Sequence, residues 1–166
     1  MSISYKIVTR IELIVALVTL IRVASMEYRC VFCRIARGEA PAHRVYEDER
    51  VLAFLDIHPS APGHALIIPK VHEAFVENLS EEDASALFKA LHLLTGKIQA
   101  AVGVKASTIG INNGPDSGQE VPHVHIHVIP RSRDVRGGII QGIARSGRRI
   151  SEEEFRHIAE RIRRSV

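Results

Sequence analysis

Between Pro122 and Pro130 three histidines, His123, His125 and His127, alternate with Val124, Ile126 and Val128. A strand has a side-chain period of two, so this spacing predicts imidazoles on one face and β-branched packing residues on the other. Three imidazoles make a poor core face, because each buried ring needs partners for two nitrogens. They make a useful chemical face. Neutral imidazole is a nucleophile toward an activated phosphorus centre, and neighbouring histidines and amides supply donors for charge on the transferred group. His125 has a potential helper on each side. The bland alternative is a row of exposed strand histidines without consequence.

A second chemical signal is Cys30-Val31-Phe32-Cys33. Two thiols three positions apart can chelate one metal or form a redox pair, and either reading implies a reducing compartment. The Arg34 to Gly38 stretch leaves room only for a short helical turn before Pro41, whereas a redox pair normally heads a substantial helix. His72, which follows Lys70-Val71, could be a surface histidine. With His123 and the two cysteines it completes a Cys2His2 inventory. The gaps of 39 residues from Cys33 to His72 and 51 from His72 to His123 exclude a zinc-finger module and would tie distant strands together. Thiolate-rich, four-coordinate zinc has no open position for substrate water, which argues against metal-assisted hydrolysis there.

Several elements must position these residues. Arg44–Glu47 and Val51–Leu55 flank the charged turn 48–50 and predict a hairpin. Asp56 stands at the end of the second strand, before the proline-rich turn that leads to His64; it can accept from a sugar diol or cap a turn, and the sequence leaves both open. Ala65–Pro69 is another apolar strand. Ser80 followed by three acids is a helix start, and Leu87, Leu91, Leu94 and Ile98 mark one buried face of a helix at about 81–101. His92 beside that stripe receives no catalytic role. Ser107–Ile111 predicts a strand, and residues 112–119 a turn-rich loop whose N–H groups and Gln119 amide can face phosphate oxygens. Ile139-Ile140 is a short candidate strand. A final helix is expected from Ser151, with Phe155, Ile158, Ala159 and Ile162 facing inward.

A chain of 166 residues with two cysteines suits one domain that buries its core without disulfides. Residues 1–25 form an apolar arm, expected to be helical and to pack on the domain or on a partner subunit. Its uncharged run Leu13–Ile21 is about half the length that spans a bilayer, so stable membrane insertion is not expected. It lacks the cleavage pattern of a secretory signal. The domain proper is read as 26–166, with Met26 as an alternative start. Its C-terminal stretch holds ten arginines against five acids after residue 130. Such a stretch can meet a polyanion or stabilise through ion pairs; nucleic acid is not expected as a partner, because only Phe155 supplies an aromatic ring and no binding motif is present.

Residues 28–131 closely resemble the histidine triad (HIT) family, on the strength of His123-Val124-His125-Ile126-His127-Val128-Ile129, supported by the Cys30–Cys33 pair, the 54–72 segment and the 112–119 loop. The resemblance implies an α+β HIT-like fold: an antiparallel sheet with a long helix and a C-terminal helix on one side, extended across a homodimer. It implies an enzyme in which His125 forms a transient nucleotidyl-histidine, His127 contacts phosphate and handles protons, and His64 assists. Asp56 and Ile57 would meet the ribose, and Asn112, Gly118 and Gln119 the phosphate. The zinc-containing branch supplies Cys30, Cys33, His72 and His123 as ligands of a structural zinc. Glu120 departs from the Ser or Thr of the phosphoramidase branch. The expected activity is cleavage at the alpha phosphate of adenosine 5'-phosphoramidate-like, AMP-containing purine nucleotides in the cytoplasm. Dinucleoside polyphosphate hydrolysis, a nucleotide-binding regulatory module and, more remotely, a redox protein are the alternatives.

Overall fold

The computed structural model describes residues 29–132, together with Val15, Leu17, Val18 and Glu153. The chain clusters into two compact units, 1–135 and 136–166. The N-terminal arm apart from its three described residues, the Ile139-Ile140 strand and the C-terminal helix apart from Glu153 lie outside the described residues.

Within residues 29–132 the order is helix α1 (Val31–Ala36), strands β1 (Arg44–Glu47), β2 (Val51–Leu55) and β3 (Ala65–Pro69), helix α2 (Glu81–Ala101), then β4 (Ala106–Gly110) and β5 (Ile126–Arg131). The five strands form one antiparallel sheet in the order β1-β2-β3-β5-β4. Alternation along the strands divides the core in two. Val51, Ala53, Ala65, Ile67, Val124, Ile126 and Val128 face Leu87, Ala90, Leu94 and Ile98 of α2. Leu52, Phe54, Leu66 and Ile68 pack on the other face with Cys30, Phe32, Cys33 and Ile35. The expected hairpin, the β3 strand and the span of α2 are all present, and the Ser80 hydroxyl caps α2 by accepting from the Asp83 N–H at 3.1 Å.

Four details differ from the expectations. The cysteine pair itself enters the first helix, with Cys30 at its N-cap position. That helix lies on the face opposite α2, so among the described residues helices occupy both sides of the sheet. The β4 strand ends at Gly110, one residue earlier than the apolar run suggested. The histidine strand is shorter than its alternation implies: ladder pairing of β5 begins at Ile126, and the Val124 N–H donates instead to the Glu73 carbonyl at 2.6 Å. His123 and His125 therefore keep the predicted face while lying just before the ladder.

Candidate active site and metal centre

Position along this segment gives each histidine a different environment. His123 is fully buried, His125 is 6% exposed and His127 is half-buried. His123 donates from Nε2 to the Pro69 carbonyl at 2.9 Å. A neutral ring with its proton on Nε2 leaves the Nδ1 lone pair free. Nδ1 faces both cysteines, 3.5 Å from Cys30 Sγ and 3.5 Å from Cys33 Sγ. His72 Nδ1 comes to 3.2 Å from Cys33 Sγ. Ligand atoms of all four residues lie within 4.8 Å of one another, and the two cysteines are not joined in a disulfide.

These distances suit one tetrahedral cation. Bonds of about 2.3 Å to sulfur and about 2.05 Å to nitrogen, at the tetrahedral angle, separate S and N by about 3.6 Å. The observed S···N separations fall close to that edge. Anchoring of a ligand histidine through its other nitrogen to a backbone carbonyl is the usual outer support of such a site, and His123 has it. His72 Nε2 is buried without a hydrogen-bond partner, so its side-chain bond runs through the nitrogen that faces the thiol, while its ring packs edge-to-face on that of His123. Burial pushes the His123 imidazole down to about 4 against the opposing Pro69 carbonyl, which keeps the ring neutral and able to bind a cation.

His125 donates from Nδ1 to the carbonyl of His123 at 2.7 Å. Its proton is thereby fixed on Nδ1, and Nε2 keeps its lone pair. His127 is set by a different chain of donors. The Ser60 N–H donates to His64 Nδ1 at 3.2 Å, which places the His64 proton on Nε2. His64 Nε2 then donates to His127 Nδ1 at 2.9 Å, leaving the His127 proton on Nε2. Asp56 Oδ2 stands 3.5 Å from His64 Nδ1 and becomes an ion-pair partner only when His64 is doubly protonated. Burial lowers His64 and pushes His127 down to about 4, with His125 and His64 adding to the effect on His127 and Asp56 opposing it. The His125 and His127 rings are 4.8 Å apart. One thus presents a lone pair and its neighbour an N–H.

The remaining expected residues are held by contacts of their own. Asp56 accepts the His58 N–H at 2.8 Å, a local turn bond that leaves Oδ2 toward His64, and Ile57 beside it is 75% exposed. Asn112 donates to the Gly118 carbonyl at 3.2 Å, and Gly118 closes a 3-10 turn in the left-handed region at φ +85. The Gln119 amide accepts the Gly114 N–H at 3.0 Å and donates to the Ala74 carbonyl at 2.8 Å. The same amide nitrogen lies 3.5 Å from the His123 carbonyl, so Gln119 braces the oxygen that holds the His125 proton. Sequence reasoning missed the Pro69 carbonyl, the Ser60 N–H and the Phe32 ring, which stands 5.3 Å from that of His125. The two backbone groups carry no sequence signal. Phe32 had one, its place between the cysteines.

The HIT domain profile matches residues 37–134. The chain belongs to the HIT family. Among relatives, this HIT protein is 37% identical over 133 residues to the adenosine 5'-monophosphoramidase hnt1 of Schizosaccharomyces pombe, an alignment covering 80% of the chain and 95% of the relative. It is 39% identical over 108 residues to the adenylylsulfatase HINT3 of Arabidopsis thaliana, covering 65% of the chain but 55% of that relative's length. A zinc-bound histidine triad family protein from Mycobacterium smegmatis superposes with a TM-score of 0.61 at 34% identity, covering 78% of this chain and 88% of that one.

Proposed function

We propose that the chain is a nucleotide hydrolase that cleaves at the alpha phosphorus of adenosine 5'-phosphoramidate-like substrates through a nucleotidyl-histidine. The observation that carries this reading is the bond from His125 Nδ1 to the His123 carbonyl, because it puts the ring proton on Nδ1 and leaves the Nε2 lone pair as the oriented nucleophile. Attack by Nε2 forms an N–P bond and breaks the bond from phosphorus to the leaving nitrogen. The His127 Nε2–H donates a hydrogen bond to a non-bridging phosphoryl oxygen, and the leaving nitrogen takes its proton from solvent, so the amine departs neutral and His127 keeps its own proton. Water then attacks the same phosphorus, breaks the bond to His125, gives its proton up to solvent and releases AMP, returning His125 as the neutral Nδ1–H ring. Asp56 and Ile57 take the ribose, and Asn112, Gly118 and Gln119 the phosphate, with His64 setting the His127 tautomer. The close relation to the fission yeast phosphoramidase supports the substrate class.

Cys30, Cys33, His72 and His123 would hold zinc, which supplies a cross-link between α1, the end of β3 and the histidine segment with no coordination position left for water. The zinc-bound mycobacterial relative and the S···N distances support that assignment. We further read the protein as a homodimer working in a reducing cytoplasm. Initial rates on an adenosine 5'-phosphoramidate, adenylylsulfate and a dinucleoside polyphosphate test the activity. Fastest turnover of the phosphoramidate is expected. AMP binding without turnover of any of the three would leave a nucleotide-binding module instead.

A further inference from the structure

Phe32 lies between the two cysteines of the short helix and touches two histidines that have different tasks. Its ring centroid is 5.9 Å from that of His123 and 5.3 Å from that of His125, with ring planes at 78° and 74°. Phe54 supports it at 5.6 Å and 64°. Phe32 is only 7% exposed, and the buried Cys30 and Cys33 fix the backbone on either side of it. This matters because an imidazole has a broad, roughly two-fold preference about its Cβ–Cγ bond. A half-turn of His125 would put a carbon where each ring nitrogen stands, removing both the bond to the His123 carbonyl and the attacking atom. The hydrogen bond holds one edge of the ring; the packed, nearly perpendicular Phe32 ring occupies the space that such a turn must sweep.

We propose that Phe32 is a positioning residue for the His125 nucleophile, and that the turn carrying it makes the orientation of His125 depend on the cation held by Cys30, Cys33, His72 and His123. The inference rests on the reading of His125 as nucleophile. Two connections run from the metal centre to that ring. One passes through the cysteine backbone to Phe32. The other passes through His123, whose side chain faces both thiols while its carbonyl accepts the His125 proton. The groups assigned to ribose and phosphate stand on other segments, so nucleotide affinity and nucleophile orientation are separable.

The test uses the full chain loaded with zinc. It reads the His125 ring nitrogens by long-range proton–nitrogen NMR without substrate, nucleotidylation in a single turnover, and AMP affinity by calorimetry. In Phe32→Leu the single Nδ1–H signature of His125 is expected to give way to a mixture, with nucleotidylation slowed by about 10- to 100-fold and AMP affinity changed by less than about threefold. Phe32→Tyr keeps a ring in place and is expected to restore one signature and most of the rate. Should the leucine variant fail to fold, Phe32→Met makes the same comparison. Removing zinc from the parent with a chelator, or deleting one ligand with Cys30→Ser, is expected to disturb the His125 signals in the same sense. Unchanged His125 signals and rate in Phe32→Leu, or weaker AMP binding as its only defect, would overturn the positioning role. Parent-like ring signals in the metal-free protein would overturn the dependence on the cation. If the parent forms no nucleotidyl-histidine, the functional reading fails, whereas the substrate-free ring signals still decide on Phe32.

Discussion

His125 donates its Nδ1–H to a backbone carbonyl two residues before it, and a substitution there measures the value of the nitrogen that remains. His125→Ala is expected to abolish covalent labelling by substrate radiolabelled at the alpha phosphate and to lower turnover by ~10³–10⁶-fold, with AMP binding retained. Rapid quench and peptide mapping check this; label on His123 or His127 would refute the assignment. His127 carries a consequence for stability. Burial holds its ring near 4, against an ordinary value of 6.5 that the unfolded chain keeps. As pH falls below 6.5 the unfolded chain takes up the proton first. The contribution of the neutral ring is therefore complete above that pH, shrinks progressively as pH falls below 6.5 and is gone once pH has passed about 4. Urea denaturation at pH 7 and pH 4.5 should show a smaller acid destabilisation in His127→Asn than in the parent. An equal loss in both would mean that His127 is not held neutral.

At the scale of elements, local chemistry sets the boundaries and distant contacts set the site. Ser80 both accepts from the Asp83 N–H and donates to its carboxylate, at 3.1 and 2.7 Å. Ser80→Ala should cost about 1 kcal/mol in urea unfolding while leaving the nucleophile's chemistry intact. A change at Gly63 is harsher. Its φ is +79, and an added Cβ would come within 2.8 Å of a Val102 methyl, so Gly63→Ala should cost about 1–3 kcal/mol and disturb the neighbouring His64. The cap, the hairpin, the apolar stripe of α2 and the alternation that buries Val124, Ile126 and Val128 were all legible, because each is a short-range pattern with one physical cause. The point at which β5 joins the ladder was not: a carbonyl 51 residues earlier, that of Glu73, takes the Val124 N–H. The Cys2His2 inventory was readable from residue types, while the tautomers of His64, His125 and His127 depend on backbone groups that composition does not encode.

At the scale of the whole molecule, the fold joins three chain-distant segments around one buried centre, and zinc should bind there at about one per chain. Elemental analysis of protein purified without chelator checks this; a folded, metal-free chain with a Cys30–Cys33 disulfide would reject it. The proposed homodimer would use an edge of the described sheet. Among the described strands, β4 pairs only with β5, so its other side is an edge of the described sheet. Ile109 on that strand is 37% exposed, and α2 exposes Phe88 and Leu93 at 50% and 46%. Pairing two copies about a two-fold axis would satisfy the edge and cover apolar surface in one step, since an isologous interface presents the same patch from both sides. Sedimentation should therefore give a dimer, and charges of one sign introduced by Ile109→Lys, meeting across the axis, should shift it toward monomer. A parent that remains monomeric at every concentration would remove the dimer. A parent dimer unaffected by Ile109→Lys would instead place its interface away from this edge.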